Sequence, residues 1–318
     1  MPDASVVVPS FDDGDRLAPC LSALAAQSIR ARLQVIVSLD GGPPLDAGIS
    51  SLTDLVVEGP HAGPAAARNR GWRLSSGRFV LFTDSDCVPD SGWAESLIET
   101  LESGADGVKG AYSRGGSLAI QRLAQVEFEE RYSLLEKRGS TDLVDTYSAG
   151  FRRTALESVD GFDESFPFPD HEDVDLSYRM KEMGLDLRFQ PAALVSHTHR
   201  PGWRGYFRMK FSRGRWRMKV LRRFPGKYGG GDYTPVCMRI QILLVPMLLP
   251  AAALSPLVPV VSAVWLALFL ASTVPLGLTA LRTDPGVALL VPPFSLWRAV
   301  ALFSGIARGI FEARGGEA

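Results

Sequence analysis

Short apolar runs alternate with segments of helical periodicity along the first 200 residues of the chain. Runs rich in β-branched and aromatic residues predict buried strands at 5–8, 33–39, 55–57 and 79–82. Apolar residues at helical spacing predict helices at 17–27, 63–77 and 93–101. Because strands and helices alternate at short intervals, the sequence predicts an α/β layer with a mostly parallel sheet.

The pattern continues through a second block that reaches residue 199. A long helical pattern covers 117–137, and apolar runs predict strands at 147–153 and 187–195. Between these two strands a helix is predicted that begins at Asp170, a suitable N-terminal capping residue, and stops at Gly184.

Polar groups follow three of the predicted strands at the points where those strands end. They occupy segments 9–11, 40–42 and 84–86. Ligands of parallel sheets bind beyond the carboxyl ends of the strands, so these segments are expected to form one polar site. Asp84 and Asp86 repel each other unless both face water or a cation lies between them. The residues themselves leave both interpretations open.

The charge of the chain is divided unevenly. The formal net charge is −1, but residues 1–199 contain 18 basic and 31 acidic side chains, and residues 200–318 contain 16 and 4. This division predicts two parts in different environments. The three cysteines have no paired spacing, which fits a reducing compartment. No secretory signal is predicted at the N-terminus, because no basic region precedes its apolar run.

The C-terminal part of the chain is strongly apolar. Residues 240–281 include no charged side chain over 42 positions, which is long enough for two membrane crossings with a turn near 255–259. A third apolar stretch at 286–311 is interrupted by two prolines and two arginines, so we expect it to lie in the membrane interface. The alternative is a buried helical hairpin in a soluble protein, but such proteins rarely maintain so long a charge-free stretch.

A basic and aromatic segment precedes the apolar region. Residues 200–227 contain eleven Lys and Arg, no acidic residue and six aromatic residues. Nucleic acid is one possible partner for such a segment, but its position beside the apolar region favours anionic membrane lipid. The positive-inside rule then predicts a protein of the cell membrane with residues 1–199 on the cytoplasmic side.

Seven segments together resemble the family 2 inverting glycosyltransferases, which have the GT-A fold. The segments are SVVVPSF, VIVSLDGG, GPAAARNRG, LFTDSDCVP, SAGFRRTALESVDGFDE, HEDVDL and PAALVSH. They occur in the family's order between residues 4 and 199. The resemblance implies a GT-A nucleotide-diphospho-sugar transferase sandwich with a mostly parallel central sheet, followed by C-terminal membrane helices.

The resemblance also divides the chain into segments. The GT-A catalytic domain is expected at 1–199, with a nucleotide-binding half at 1–115 and an acceptor half at 116–199. A basic aromatic juxtamembrane segment follows at 200–239, and a hydrophobic membrane region at 240–318.

The resemblance assigns the strand ends to the nucleotide-sugar donor. Pro9, Phe11 and Asp40 are similar to the family's contacts with the nucleotide base. Arg68 and Asn69 lie in a motif that lines the same pocket. We therefore expect these five residues to bind the donor, for which a UDP-sugar is favoured.

The same resemblance implies a metal site. Asp84 is similar to the aspartate on the ribose side, and Asp86 to the one that binds a divalent cation on the diphosphate. His197 resembles the histidine that completes the site, with His199 as its local rival. The expected cofactor is Mn²⁺ or Mg²⁺, and an imidazole ligand tilts the choice towards Mn²⁺.

The catalytic group is expected in the motif HEDVDL. Asp173 matches the family's general base, which takes the proton of the acceptor hydroxyl group. Glu172 is expected to bind substrate beside it. The signature of processive synthases, Gln-x-x-Arg-Trp, is absent from the sequence. The expected reaction is therefore metal-dependent, inverting transfer of one sugar to a membrane-associated glycan or a lipid-linked acceptor.

Two alternatives remain at the level of the sequence. A nucleotidyltransferase also uses paired acids and Mg²⁺, but it needs a glycine-rich, basic phosphate loop after the first strand, where this chain has Asp12 and Asp13. A catalytically inactive, membrane-attached binding scaffold is the second alternative. The presence of all the expected acids argues against it.

Overall fold

A computed structural model of the chain describes residues 2–166, 168, 170–228, 234–254 and 258–315. The chain divides into two compact units. Unit 1 comprises residues 1–114 and 135–198, and unit 2 comprises residues 115–134 and 199–318. Residues 115–134 pack with unit 2. The catalytic domain expected from the sequence at 1–199 stays a prediction.

Unit 1 contains a mixed sheet of eight strands. These are β1 (Ala4–Ser10), β2 (Leu33–Asp40), β3 (Leu55–Gly59), β4 (Phe79–Thr83), β5 (Cys87–Pro89), β6 (Gly107–Arg114), β7 (Ser148–Arg152) and β8 (Leu187–His197). Their order across the sheet is β3-β2-β1-β4-β7-β6-β8-β5. Four of the seven strand pairs are parallel, namely β1–β2, β1–β4, β2–β3 and β6–β8, so the predicted fold class is confirmed.

Two strands were not predicted from the sequence. Strand β5 has only three residues, which is too short for a recognisable pattern. Strand β6 has the sequence GVKGAYSR, in which two glycines and a buried Lys109 obscure the alternation of a strand. Both strands pair with β8, at opposite edges of it.

Seven helices begin before residue 198 in the described part of the chain. They are α1 (Leu17–Ala25), α2 (Ala47–Ser50), α3 (Pro64–Arg73), α4 (Trp93–Glu102), α5 (Ala119–Arg138), α6 (Arg153–Ser158) and α7 (Glu172–Glu182). The residue that caps the N-terminus of α7 is His171, not Asp170 as predicted, and its φ of 74° is in the left-handed region. Gly184 follows the helix with φ 77° and donates its N–H to Lys181, as expected of a helix stop.

The core of unit 1 lies on both faces of the central strands. Every residue of β4 is buried, as is typical of strands covered by helices on two sides. Phe82 packs edge-to-face against Phe151 and Phe162, with ring centroids 6.0 and 5.4 Å away. The segment with Asp84 and Asp86 therefore follows directly on a well-packed strand.

The helices of unit 2 include the apolar region. After the α5 segment they are α8 (Trp203–Arg223), α9 (Val236–Leu244), α10 (Leu248–Leu254), α11 (Pro259–Thr283) and α12 (Val291–Gly315). Three stretches of the described chain are long and apolar enough to cross a membrane, at 236–254, 259–283 and 285–312. The predicted turn near 255–259 falls between α10 and α11, and its residues 255–257 lie outside the described residues.

Helices α8 and α12 pack against each other at very short distance. A Cβ atom on Gly305 of α12 would overlap the backbone oxygen of Phe211, and one on Gly309 would lie 2.6 Å from that of Arg215. Only glycine fits at these two positions. The side chain of Arg215 also forms an ion pair with Glu312, with Nε and Oε2 2.6 Å apart.

A buried carboxylate links three helices of unit 2. Glu127 of α5 accepts hydrogen bonds from the hydroxyl of Tyr206 at 2.6 Å, from Nζ of Lys210 at 2.7 Å, and from Arg131. Arg298 of α12 lies 3.8 Å from the same carboxylate. Burial by itself raises the pKa of Glu127, but the charges of Lys210, Arg131 and Arg298 more than offset this and lower the pKa well below its ordinary value.

Candidate active site

The strand order reverses beside β1, near the middle of the sheet. From β1 the chain passes to β2 and β3 on one side, and later to β4 on the other side. The pairing of β1 with β4 ends at Val7 and Phe82, whereas its pairing with β2 continues to Ser10. Pro9 lies beyond the last β4 pair. The carboxyl ends of β1 and β4 therefore diverge, and open α/β sheets bind their ligands at such a point.

Asp40 ends β2, and its carboxylate binds the loop that leads into α3. Its Oδ1 accepts a hydrogen bond from the backbone N–H of Ala62, and its Oδ2 accepts one from that of Gly63, both at 2.9 Å. Nδ1 of His61 lies 2.8 Å from Oδ2. The exposed ring of Phe11, just after β1, stacks on the ring of His61 with centroids 4.1 Å apart.

Arg68 of α3 connects Asp84 to Glu172. Its guanidinium donates one hydrogen bond to Asp84 at 2.8 Å and another to Glu172 at 2.7 Å. The side chains of Arg68 and Glu172 are both 3 % exposed, whereas that of Asp84 is half-buried. Arg68 and Glu172 thus lie on the buried side of Asp84, and Arg68 orients its carboxylate. Asp84 is the most exposed of the three side chains.

The amide of Asn69 is fully used within the protein. Its NH₂ group donates to the backbone oxygen of Phe162 and to Glu164, both at 2.8 Å. Its oxygen accepts from the ring of Trp72 at 3.0 Å and from the N–H of Phe162 at 2.9 Å. Asn69 is buried, so it positions the loop at 162–164 rather than presenting its amide at the surface.

Asp86, Cys87 and His197 come together because β5 pairs with the end of β8. Cys87 stands opposite His197 in the strand register, and Oδ1 of Asp86 lies 3.4 Å from Nδ1 of His197. The possible ligand atoms of all three residues lie within 4.8 Å of one another. Burial raises the pKa of the Cys87 thiol well above its ordinary value, so the sulfur remains protonated and is the weakest ligand of the three.

The spacing of Asp86 and His197 fits a shared divalent cation. Two ligand atoms that each lie about 2.2 Å from one cation are about 3.1–3.4 Å apart when the angle between them is about 90–100°. Burial raises the pKa of Asp86, but the nearby imidazole of His197 outweighs it and lowers the pKa below its usual value. A carboxylate and an imidazole are ligands that Mn²⁺ accepts, and Mg²⁺ prefers the carboxylate.

The ring of His197 is held by a stack of aromatic side chains. Tyr112 of β6 lies between His197 and Tyr147, with centroids 5.3 and 3.7 Å away. His199, the local rival, belongs to unit 2. There its Nε2 lies 3.0 Å from Gln125, and its ring stacks on Phe128.

The three acidic residues in the first turn of α7 differ in how far their side chains are buried. Glu172 points into unit 1 towards Arg68, and Asp173, one residue on, is partly exposed. Asp175 forms an ion pair with Arg179, with Oδ2 and Nε 2.8 Å apart, and its side chain is fully buried. Asp175 is directed inward because Arg179 also donates to the backbone oxygens of Val159 and Gly161.

The site as a whole is negatively charged. Burial alone lowers the pKa of Arg68, but Asp84, Glu172 and more weakly Asp173 outweigh it and raise the pKa. Asp173 is therefore part of the same electrostatic neighbourhood as the Asp84–Arg68–Glu172 triad. Burial raises the pKa of Glu172 even though Arg68 opposes the shift. The carboxyl groups around this buried guanidinium are of the type that binds a cation or accepts a proton.

Several side chains of this site were not predicted from the sequence. His61 lies outside the quoted motifs, two residues before GPAAARNRG. Cys87 lies in LFTDSDCVP, but that motif does not indicate which of its side chains meets His197. Tyr112 belongs to the unpredicted strand β6, so its position beside His197 follows only from the pairing of β6 with β8. No signal in the local sequence of Tyr112 or Tyr147 indicates the stack.

The chain is similar to known glycosyltransferases over much of its length. The sequence profile of glycosyl transferase family 2 matches residues 5–159. The chain is 28 % identical over 264 residues to pre-mycofactocin glycosyltransferase of Mycobacterium tuberculosis, which is 79 % of this chain but 51 % of the relative. It is 27 % identical over 218 residues to glycosyltransferase AglE of Haloferax volcanii, 63 % of this chain and 68 % of the relative.

A solved structure is similar over nearly the whole chain. It is the mannosyltransferase PcManGT from Pyrobaculum calidifontis in complex with GDP-Man and Mn²⁺. The two structures match with a TM-score of 0.59 over 98 % of this chain and 88 % of the other, at 18 % sequence identity. At this identity the similarity concerns the fold. The chain spans about half the length of the mycobacterial relatives.

Proposed function

The chain belongs to glycosyl transferase family 2, and from this premise we propose that it transfers one sugar from a nucleoside-diphospho-sugar to a hydroxyl group of a membrane-associated acceptor, with inversion at the anomeric carbon. The observation that carries the proposal is the set of acids at the point where the strand order reverses. Asp84, Asp86 and Asp173 are partly exposed, and the buried Arg68 orients Asp84. Family membership also disfavours the nucleotidyltransferase alternative.

In the proposed site the donor lies beyond the ends of β1, β2 and β4. Phe11 and the loop at 61–63 face the nucleotide base, and Asp84, oriented by Arg68, faces the ribose. Asp86 and His197 would hold Mn²⁺ or Mg²⁺. When bound there, the cation neutralises the diphosphate as a Lewis acid. The solved neighbour contains GDP-Man and Mn²⁺, so both GDP- and UDP-sugars belong among the donors to be tested.

Asp173 performs the proton transfer in this proposal. Its carboxylate accepts the proton of the acceptor hydroxyl group while the hydroxyl oxygen forms a bond to the anomeric carbon. The bond from that carbon to the diphosphate oxygen breaks, and the diphosphate leaves with the electron pair. Attack from the face opposite the leaving group inverts the configuration. Only Asp173 among the acids at the start of α7 is accessible enough for this role.

The apolar helices of unit 2 support placing the proposed reaction at a membrane. Helices α9 to α11 expose apolar side chains along their length, and two of the three apolar stretches are only 22 % buried. The basic helix α8 fits the anionic surface of the lipid bilayer. An acceptor that is lipid-linked or part of a membrane glycan suits this location, with the catalytic side in the cytoplasm by the positive-inside rule.

The experiment follows donor turnover by the full chain in detergent. UDP- and GDP-sugars are supplied with Mn²⁺ and a membrane extract as the source of acceptor, and the released nucleoside diphosphate is measured. We expect release that requires the extract, stops with a chelator and is lost in Asp86→Ala. An α-linked donor should give a β-linked product by NMR. Release that persists in the chelator would contradict the metal assignment, and absence of release with every donor would favour the inactive scaffold.

A further inference from the structure

The carboxylate of Asp40 has little capacity left for a nucleotide. It already accepts hydrogen bonds from the backbone of Ala62 and Gly63 and from Nδ1 of His61. A carboxylate has about four acceptor positions. The side chain of Asp40 is 6 % exposed, whereas that of His61 is 60 % exposed. The polar group that faces solvent at the end of β2 is therefore the imidazole, not the carboxylate.

The partners of His61 determine which nitrogen carries the hydrogen. Nδ1 lies 2.8 Å from Oδ2 of Asp40 and 3.1 Å from its backbone oxygen. Both of these oxygens accept hydrogen bonds, so Nδ1 is the donor. In the neutral ring Nε2 is then an acceptor with an available lone pair. Among the described residues no hydrogen bond to Nε2 is present.

Two further features determine the position of His61, namely the stack of its ring on Phe11 and the close approach of Gly41 to its backbone. Phe11 stacks on it with an interplanar angle of 25°, and Phe11 is itself 50 % exposed. Gly41 has φ 84°, and a Cβ atom there would lie 3.2 Å from both Cβ and the backbone nitrogen of His61. The glycine thus lets the 61–63 loop lie directly over the end of β2. The result is an aromatic surface with one acceptor atom at its edge.

We infer that His61 recognises the donor's base through Nε2, with Asp40 as a positioning residue behind it; this inference rests on the proposed function. The acceptor Nε2 pairs with a ring N–H. Uracil and thymine offer N3–H, and guanine offers N1–H. The corresponding atoms, N3 of cytosine and N1 of adenine, are acceptors, so these two bases reach Nε2 only through an exocyclic amino group at a shifted position. The geometry therefore favours a uridine, thymidine or guanosine diphospho-sugar as the donor.

Calorimetry of nucleoside diphosphates tests this assignment. The full chain in detergent with Mn²⁺ is titrated with UDP, GDP, ADP and CDP. We expect UDP and GDP to bind about tenfold more tightly than ADP and CDP, the value of one good hydrogen bond. His61→Phe retains the stack on Phe11 but removes the acceptor. It should abolish this preference, mainly by weakening the binding of UDP and GDP. The variant His61→Gln, which has an acceptor oxygen, should restore part of the preference.

Two matched variants separate recognition from support. Phe11→Leu removes the stack and should weaken the binding of all four nucleotides by a similar factor. The preference for UDP and GDP over ADP and CDP should stay unchanged. Asp40→Asn places an NH₂ donor beside Nδ1 and should reduce the preference, whereas a merely structural role would weaken all four alike. An unchanged preference in His61→Phe would overturn this inference alone. Failure of all four to bind the wild-type chain would overturn the proposed function and the inference with it.

Discussion

At the scale of single residues, burial decides which of several similar side chains is available for chemistry. Glu172, Asp173 and Asp175 are all acidic and lie within one turn of α7, but only Asp173 is partly exposed. Asp40 and His61 show the same effect at the end of β2, where the carboxylate is buried behind the imidazole. Charge alone does not distinguish these residues, and the contacts of each do.

The substitution Asp173→Asn tests the proposed base. The amide preserves the shape of the side chain but does not accept a proton, so turnover should fall by roughly 10²–10⁴ while donor affinity stays nearly unchanged. Initial rates and calorimetry measure the two quantities. As a control, Asp175→Asn breaks a buried pair with Arg179 and should lower stability by about 1–3 kcal/mol, with normal turnover in the folded fraction. Normal turnover in Asp173→Asn would exclude it as the base.

The two neighbouring histidines provide a matched test of the metal site. His197→Ala should weaken Mn²⁺-dependent binding of UDP or GDP by the full chain, because Nδ1 of His197 lies 3.4 Å from Asp86. His199→Ala should leave this binding unchanged, since the partners of His199 are Gln125 and Phe128 in unit 2. Titration of Mn²⁺ at fixed nucleotide concentration measures the difference. Equal effects of the two substitutions would contradict the assignment.

At the scale of helices, unit 2 is held together by close packing and by a buried charge cluster. Helix α8 contains nine basic residues, yet it lies against the apolar helix α12 without an intervening layer of side chains. The glycines at 305 and 309 make this approach possible, and the cluster around Glu127 links α5, α8 and α12 nearby. Both features depend on single residues.

Alanine at either glycine of α12 should separate it from α8. In Gly305→Ala and Gly309→Ala the new methyl group meets a backbone oxygen, which a rotamer change does not relieve, so stability should fall by about 1–3 kcal/mol. Gly277→Ala in α11 is the control, because a Cβ atom there would have no other atom within 4 Å. That change should stabilise the helix by about 0.5–1 kcal/mol. Thermal unfolding in detergent compares the three, and equal effects would contradict the close packing.

The charge cluster predicts a pH-dependent stability. Glu127→Gln leaves the buried cations without their carboxylate and should cost about 3–5 kcal/mol at neutral pH. The pKa of Glu127 is lowered in the folded state, so its contribution is present above the ordinary value of 4.5 and is lost as pH falls through the folded value. The difference between wild type and Glu127→Gln should therefore shrink in acid. Denaturant unfolding at several pH values measures it.

A second variant shows whether the carboxylate or the whole network matters. Lys210 is buried and donates a hydrogen bond from Nζ to Glu127 at 2.7 Å, and Arg131 binds the same carboxylate. Lys210→Met removes a costly buried amine and preserves most of its volume, so it should change stability much less than Glu127→Gln does. A larger loss in Lys210→Met would contradict the central role of Glu127.

At the scale of the whole molecule, the packing of α8 against α12 bears on how the chain meets a membrane. By length and hydropathy the stretch 285–312 is long enough to cross. Helix α8 runs beside α12 from Trp203, whose backbone oxygen binds Trp297, to Arg215, which binds Glu312. If α12 crossed the bilayer, the five basic residues of α8 from Arg204 to Arg215 would lie beside the crossing segment, at a cost of about 2.5–3.5 kcal/mol for each that enters the centre of the hydrocarbon.

We therefore expect α12 to lie in the membrane interface and its two ends to be accessible from one side. Cysteines are introduced at Leu289 and Phe311, which are 93 % and 70 % exposed, in a chain that carries Cys237→Ser. Cys20 and Cys87 are buried and stay in place. An impermeant maleimide applied to sealed vesicles of known orientation should label both positions or neither. Labelling from opposite sides would show that α12 crosses.

The sequence by itself determined the fold class, the order of most strands and helices, and the apolar region. These follow from patterns that are local, namely β-branched runs, helical periodicity and a 42-residue stretch without charge. It also supplied the motifs that carry the family resemblance, and the comparisons confirm that family. Strands β5 and β6 were missed because three residues and a glycine-rich segment have no clear period.

Only the tertiary structure decided which residues of each motif are accessible and what they contact. The Arg68 contacts with Asp84 and Glu172 join residues 16 and 104 positions apart, and His197 reaches Asp86 through the pairing of β5 with β8. Segment 115–134 was likewise assigned to unit 2 by its packing. Such contacts depend on long-range pairing and on solvent exclusion, which no local pattern in the sequence encodes.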